Sequence, residues 1–103
     1  MNLNKLMKQA QKMQEKMTQA QAELTEKTVE VQAAGGKITV VANGAGDVIS
    51  IKIAKEIVDP EDVEFLEDAV LSGIQQAIEQ GKAIASSEMS KITGGMGVAG
   101  LGL

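Results

Sequence analysis

The feature that most constrains this chain lies at its N-terminus. From Asn4 to about Lys27 there is no Gly and no Pro, and the composition is Gln, Lys, Met, Ala and Glu. These residues lose little on entering a helix, and only Thr18 and Thr25 are weaker formers. The apolar positions are Leu3, Leu6, Ala10, Met13, Met17, Ala20 and Leu24, with steps alternating between three and four. That spacing is a heptad seam, the pattern of a helix packed along one narrow stripe. Met7 widens it slightly, and its methionines make it adaptable. At about 100° per residue, Lys5, Lys8, Lys12 and Lys16 fall roughly 125° round from the seam. The segment therefore predicts one long helix with an apolar edge and a basic face.

After Lys27 the periodicity changes. Thr28–Ala33 alternates and is β-branched, which predicts a strand. Gly35-Gly36 is a turn, Lys37 to Asn43 a second strand, and Asn43-Gly44-Ala45-Gly46-Asp47 a second turn. Asn-Gly pairs suit tight hairpin loops. Val48 to about Ala54 reads as a third strand, with Ile49, Ile51 and Ile53 expected on one packed face. Three strands joined by short glycine loops predict an antiparallel meander. Asp59-Pro60-Glu61-Asp62 then predicts a helix start, with Asp59 capping and Pro60 in the first helical position. Apolar residues recur at Val63, Leu66, Val70, Ile74 and Ile78, then at Ile84 or Ala85, Met89 and Ile92. Gly73 and Gly81 interrupt this run, and each weakens a helix by about 1 kcal/mol relative to Ala. A break is expected near Gly73, and an end at Gly94-Gly95. The fold class is α+β in a single domain over 1–93. It comprises a helical arm (1–27), a sheet (28–58) and C-terminal helices (59–93), with a flexible Gly-rich tail at 94–103.

Composition narrows the function. The chain has one Phe, no Trp and no Tyr. Aromatic side chains normally dominate burial, so a chain of 103 residues this poor in them gains from sharing its core with a partner. Without Cys or His, disulfides, thiolate nucleophiles and the commonest metal ligand and general base are excluded. The serines have no His to activate them. Gly95-Met96-Gly97-Val98-Ala99-Gly100 matches a dinucleotide fingerprint formally, but it follows a helix instead of opening one. Gly81-Lys82 lacks the rest of a phosphate loop. The acids from Asp59 to Asp68 lack calcium-loop spacing and suit the positive end of a helix dipole. The expected function is non-enzymatic, with no cofactor and no metal. No stretch is apolar enough for a membrane span or signal peptide, so the expected location is the cytoplasm.

Net charge is −4, yet residues 1–22 hold four lysines against one glutamate, a net of +3, while Asp59–Asp68 holds six acids and no lysine. The lysine stripe is either a solvated helix face or a set of phosphate contacts. The seam either packs within the chain or pairs helices across a dimer. The chain contains no Arg, so the bidentate guanine contact is unavailable, and no aromatic platform exists for stacking single strands. A DNA partner would be duplex, held through its backbone with weak sequence preference. The rival reading is a structural protein whose seam and tail, with Val98, Leu101 and Leu103, engage another protein.

The assembled pattern resembles the YbaB/EbfC family. The matching segments are Leu6–Gln14, Gly35–Val40, Asn43-Gly44, Ile51–Ile53, the unusual run Val58–Asp68, Glu88-Met89 and Ile92–Gly95, in order over nearly the whole chain. The resemblance implies a bacterial, nucleoid-associated homodimer, tweezer-like, with helical arms that contact duplex DNA. It implies altered DNA conformation, nucleoid organisation and gene regulation. The DNA-binding residues it points to are Lys5, Lys8, Lys12 and Lys16, then Lys82 and Lys91. The dimerisation residues expected from the seam are Leu6, Met13, Met17 and Leu24.

Overall fold

The computed structural model describes residues 2–95. Helix α1 runs over Leu3–Leu24. Strands β1 (Thr28–Ala33), β2 (Ile38–Asn43) and β3 (Val48–Ile53) follow, and helix α2 (Val63–Gly95) ends the described chain. The sheet is antiparallel in the order β1-β2-β3, as the glycine-loop spacing predicts.

One face of the sheet builds the core. Val31, Ile38, Val40 and Ala42 are buried with Ala77 of α2, and Leu66, Ala69, Val70 and Ile74 pack around them. Ile38 and Val40 are fully enclosed. Each such side chain contributes about 1.5–3 kcal/mol on leaving water. Val31 pairs with Val40, and Ala33 with Ile38, so side chains on one face meet directly across the ladder.

Helix α2 departs from the sequence-based expectation: it passes through Gly73 unbroken. A Cβ at Gly73 would stand 3.0 Å from Val40 Cγ2 and 3.4 Å from Ala33 Cβ. The glycine lets the helix lie close on the sheet, and the apolar contacts on either side outweigh its weak propensity. At Gly81 a Cβ would overlap the Asn43 carbonyl oxygen. Both glycines mark close approach. Helix α2 is described as far as Gly95. The remainder of the expected tail lies outside the described residues.

The start of α2 also differs. Asp59-Pro60-Glu61-Asp62 is a turn, in which the Asp62 amide donates to the Asp59 carbonyl at 2.9 Å and the Glu61 amide to the Asp59 side chain at 2.9 Å. The helix begins at Val63, and Asp62 caps it by accepting from the Phe65 amide at 3.2 Å. Asp62 occupies the capping position because its carboxylate reaches the amide three residues on.

Strand β3 is the largest departure. Every residue of it is exposed. Ile51 and Ile53 lie opposite Val40 and Ile38, hence on the core face, but α2 lies across β1 and β2 and scarcely reaches the third strand. The register shifts between Val41 and Ala42, so that Val41 pairs with Ser50 and Ala42 with Val48, leaving Ile49 as the extra residue of a bulge. The expected Ile49–Ile51–Ile53 face is therefore neither regular nor packed within the chain.

The molecule measures 71 × 26 × 17 Å, with a radius of gyration of 19.8 Å. A compact domain of this length would be near 13 Å. The excess comes from the two long helices, α1 of 22 residues and α2 of 33.

Candidate nucleic-acid interface

The arm is anchored at one polar knot. Asn43 is buried at the end of β2. Its side-chain oxygen accepts from the Ala45 and Asp47 amides, both at 3.0 Å, and its amide nitrogen donates to the Thr25 carbonyl at 3.3 Å. The Gly44 amide donates to the carbonyls of Leu24 and Lys27, each at 2.9 Å. A Cβ at Gly44 would fall 2.7 Å from Leu24 Cδ2. The β2–β3 turn is thus bound to the root of α1, while α2 crosses the same point at Gly81. Sequence reasoning read Asn43-Gly44 as a hairpin turn and missed this second role. An Asn followed by Gly at a strand end signals the turn but not what docks on it.

From that root, seam burial fades outward. Leu24 and Ala20 are buried, Met17 and Met13 are half-buried, and Ala10, Leu6 and Leu3 are exposed. The inner half of the seam is used within the chain, where α1 meets α2. Leu24, 5% exposed, has almost no surface left to give a partner. The Gly44 turn closes over it. Leu6, with Leu3 and Met7, is open.

Lys5, Lys8, Lys12, Lys16 and Lys82 are exposed and join no ion pair among the described residues. Even Glu15, within the stripe, makes none there. Lys91 differs: its ammonium lies 3.6 Å from Glu88 Oε1, the same oxygen that accepts a hydrogen bond from Lys27. That bond holds the Glu88 carboxyl below its ordinary range. Partial burial opposes the shift, and the positive charges of Lys27 and Lys91 reinforce it.

The two charged regions lie at opposite ends. Helix α2 passes Ile38 and Ala33 near Gly73, Asn43 near Gly81, and Lys27 at Glu88. Its acidic start therefore lies beyond the sheet on the side away from the arm. No group of three or more carboxylates among the described residues is arranged to hold a metal ion. Among the same residues, no helix is long and apolar enough to cross a membrane.

Known proteins bear on this arrangement. The model of the YbaB/EbfC DNA-binding family matches residues 1–96. A nucleoid-associated protein of Ruminiclostridium cellulolyticum is 52% identical over 96 residues, covering 93% of this chain and 84% of its own. One from Alkaliphilus metalliredigens is 50% identical over 100 residues, covering 97% and 88%. An uncharacterized protein of Helicobacter pylori, solved by crystallography, shares the fold with a TM-score of 0.64 at 17% identity, over 76% of this chain and 90% of that one.

Proposed function

Since the chain belongs to the YbaB/EbfC DNA-binding family, we propose that it is a non-enzymatic, nucleoid-associated protein that grips the backbone of duplex DNA with its α1 arm. The observation that carries this reading is the set of four lysines on the projecting helix, all exposed and none neutralised by an ion pair among the described residues. From Lys5 to Lys16 the stripe spans roughly 16 Å of helix, long enough to meet several phosphates of a duplex that carries one charge per about 1.7 Å. Contacts of this kind position DNA without reading it. The acidic start of α2 sits far from the arm and orients the approach despite the negative total. Binding in the cytoplasm at the nucleoid, with effects on DNA conformation and on gene regulation, follows from this reading.

The working unit in this proposal is a homodimer. The exposed apolar side chains of β3, and Val63, Phe65 and Leu71 of α2, are the contacts available to a second copy. The arms then remain free to project, and Leu6, Met13 and Met17 add helix pairing toward their tips. Two arms double the phosphate contacts.

The test is a fluorescence-anisotropy titration against a generic duplex at 50 and 200 mM salt, for the parent and for Lys8→Gln/Lys12→Gln/Lys16→Gln. The parent should bind and weaken steeply with salt. The triple variant should bind less, with a slope of log affinity against log salt lower by about 0.9 for each lost phosphate contact. Unchanged affinity in a folded, dimeric triple variant overturns the arm assignment. It would favour the rival protein-partner reading, for which the open Leu3, Leu6 and Met7 tip is the natural contact.

A further inference from the structure

The basic residues of this chain are not equivalent. Lys27 sits at the root of the arm and Lys91 near the end of α2, and both converge on one oxygen of Glu88. Among the described residues, Glu88 is the single acidic side chain that is not exposed. Its side chain is 20% accessible, against 42% for Lys27 and 72% for Lys91. The Glu88 side chain is partly sheltered while the two lysines beside it still face water. This is the geometry of an anion seated between two cations.

We infer that Glu88 is an internal competitor for DNA phosphate, occupying the anion position between Lys27 and Lys91 and withholding both lysines from DNA. The inference rests on the DNA-binding reading above and adds a second, gated pair of cations to the open stripe on α1. A lysine that stays paired with a carboxylate neutralises no phosphate and releases none of the counterions condensed on DNA, so it adds little to the salt dependence of binding. The pair lies on the surface, where single ion pairs contribute little to folding, so removing the Glu88 charge frees both lysines without unfolding the arm.

The experiment compares the salt slope of duplex binding in full-length variants. Glu88→Gln keeps the shape of the side chain and removes its charge. It should bind DNA more tightly at low salt and show a slope steeper by about 0.9 for each lysine released. Between 50 and 200 mM salt, each released lysine then costs about a further threefold in affinity. Adding Lys27→Gln and Lys91→Gln to that variant should return the slope to the parent value. In the presence of Glu88, the double lysine change should leave the slope unchanged. Glu79→Gln, which removes one exposed charge from the same helix, should also leave it unchanged.

An unaltered slope in Glu88→Gln overturns the inference, and so does a slope that falls when Lys27 and Lys91 are replaced with Glu88 intact. If Glu88→Gln fails to fold, Glu88→Ser is measured in its place against the same expected slope. A parent that shows no salt-dependent duplex binding removes the DNA-binding reading itself, and this inference with it.

Discussion

Asn43 shows how one residue can fix an element far larger than itself. It is buried and polar, a costly combination unless its hydrogen bonds are made. Here they are made to the hairpin turn and to the last turn of the arm helix. Gly81 belongs to the same arrangement because α2 passes against the Asn43 carbonyl. Gly81→Ala should therefore destabilise the fold by about 1–3 kcal/mol, the range for overpacking, despite the roughly 1 kcal/mol that Ala gains in an open helix. A urea midpoint lower than the parent's supports this, and a higher one shows that the helix can move away. Glu88 makes a prediction of opposite character. Its carboxyl is lowered in the folded state, so its contribution is present above the unfolded value and is lost as pH falls through the folded one. The melting temperature of the parent should exceed that of Glu88→Gln near neutral pH. The gap should close as pH falls through and below the lowered range in which the folded carboxyl takes up its proton.

Among the elements, α2 is the one whose continuity was least expected. Two glycines in a helix suggest a break when only propensity is weighed. The helix survives because Leu66, Val70, Ile74 and Ala77 fall on one side and bury against β1 and β2. Its start is set by Asp62, and Asp62→Ala should cost about 0.5–2 kcal/mol, read as a lower thermal midpoint with helical content otherwise retained. Asp59→Ala should cost less, because Asp59 serves the preceding turn and not the helix cap. Strand β3 shows the reverse case. Its isoleucines have strand character, but the bulge at Ile49 and the reach of α2 leave them open.

For the whole molecule, those open isoleucines carry a prediction about assembly. Ile51→Lys and Ile53→Lys each place a charge on the apolar side of β3, where the proposed second copy docks. The parent should sediment as a dimer and the paired variant as a monomer with its circular dichroism retained. A dimeric paired variant would place the interface elsewhere, with the arm tips as the next candidate. Duplex binding by the monomer should weaken and its salt slope should fall, since only one arm's phosphate contacts remain. An elongated shape with its positive charge at one extremity suits this division, in which one end associates and the other binds.

By itself the sequence determined what depends on neighbours along the chain. Heptad spacing without Gly or Pro specified α1, β-branched alternation specified β1 to the residue, and Gly35-Gly36 and Asn43-Gly44 specified the turns. The lysine stripe was legible for the same reason, because helical geometry alone places Lys5, Lys8, Lys12 and Lys16 on one face. Tertiary structure decided everything that depends on which surfaces meet. Gly73 and Gly81 became points of close approach, Leu24 became core, and β3 stayed uncovered once α2 crossed only its neighbours. Lys91 likewise reads as an open cation in sequence. Its pairing with Glu88 is local, but Lys27 joins them from a position 61 residues away, a convergence that only the packing of α2 beside the arm creates.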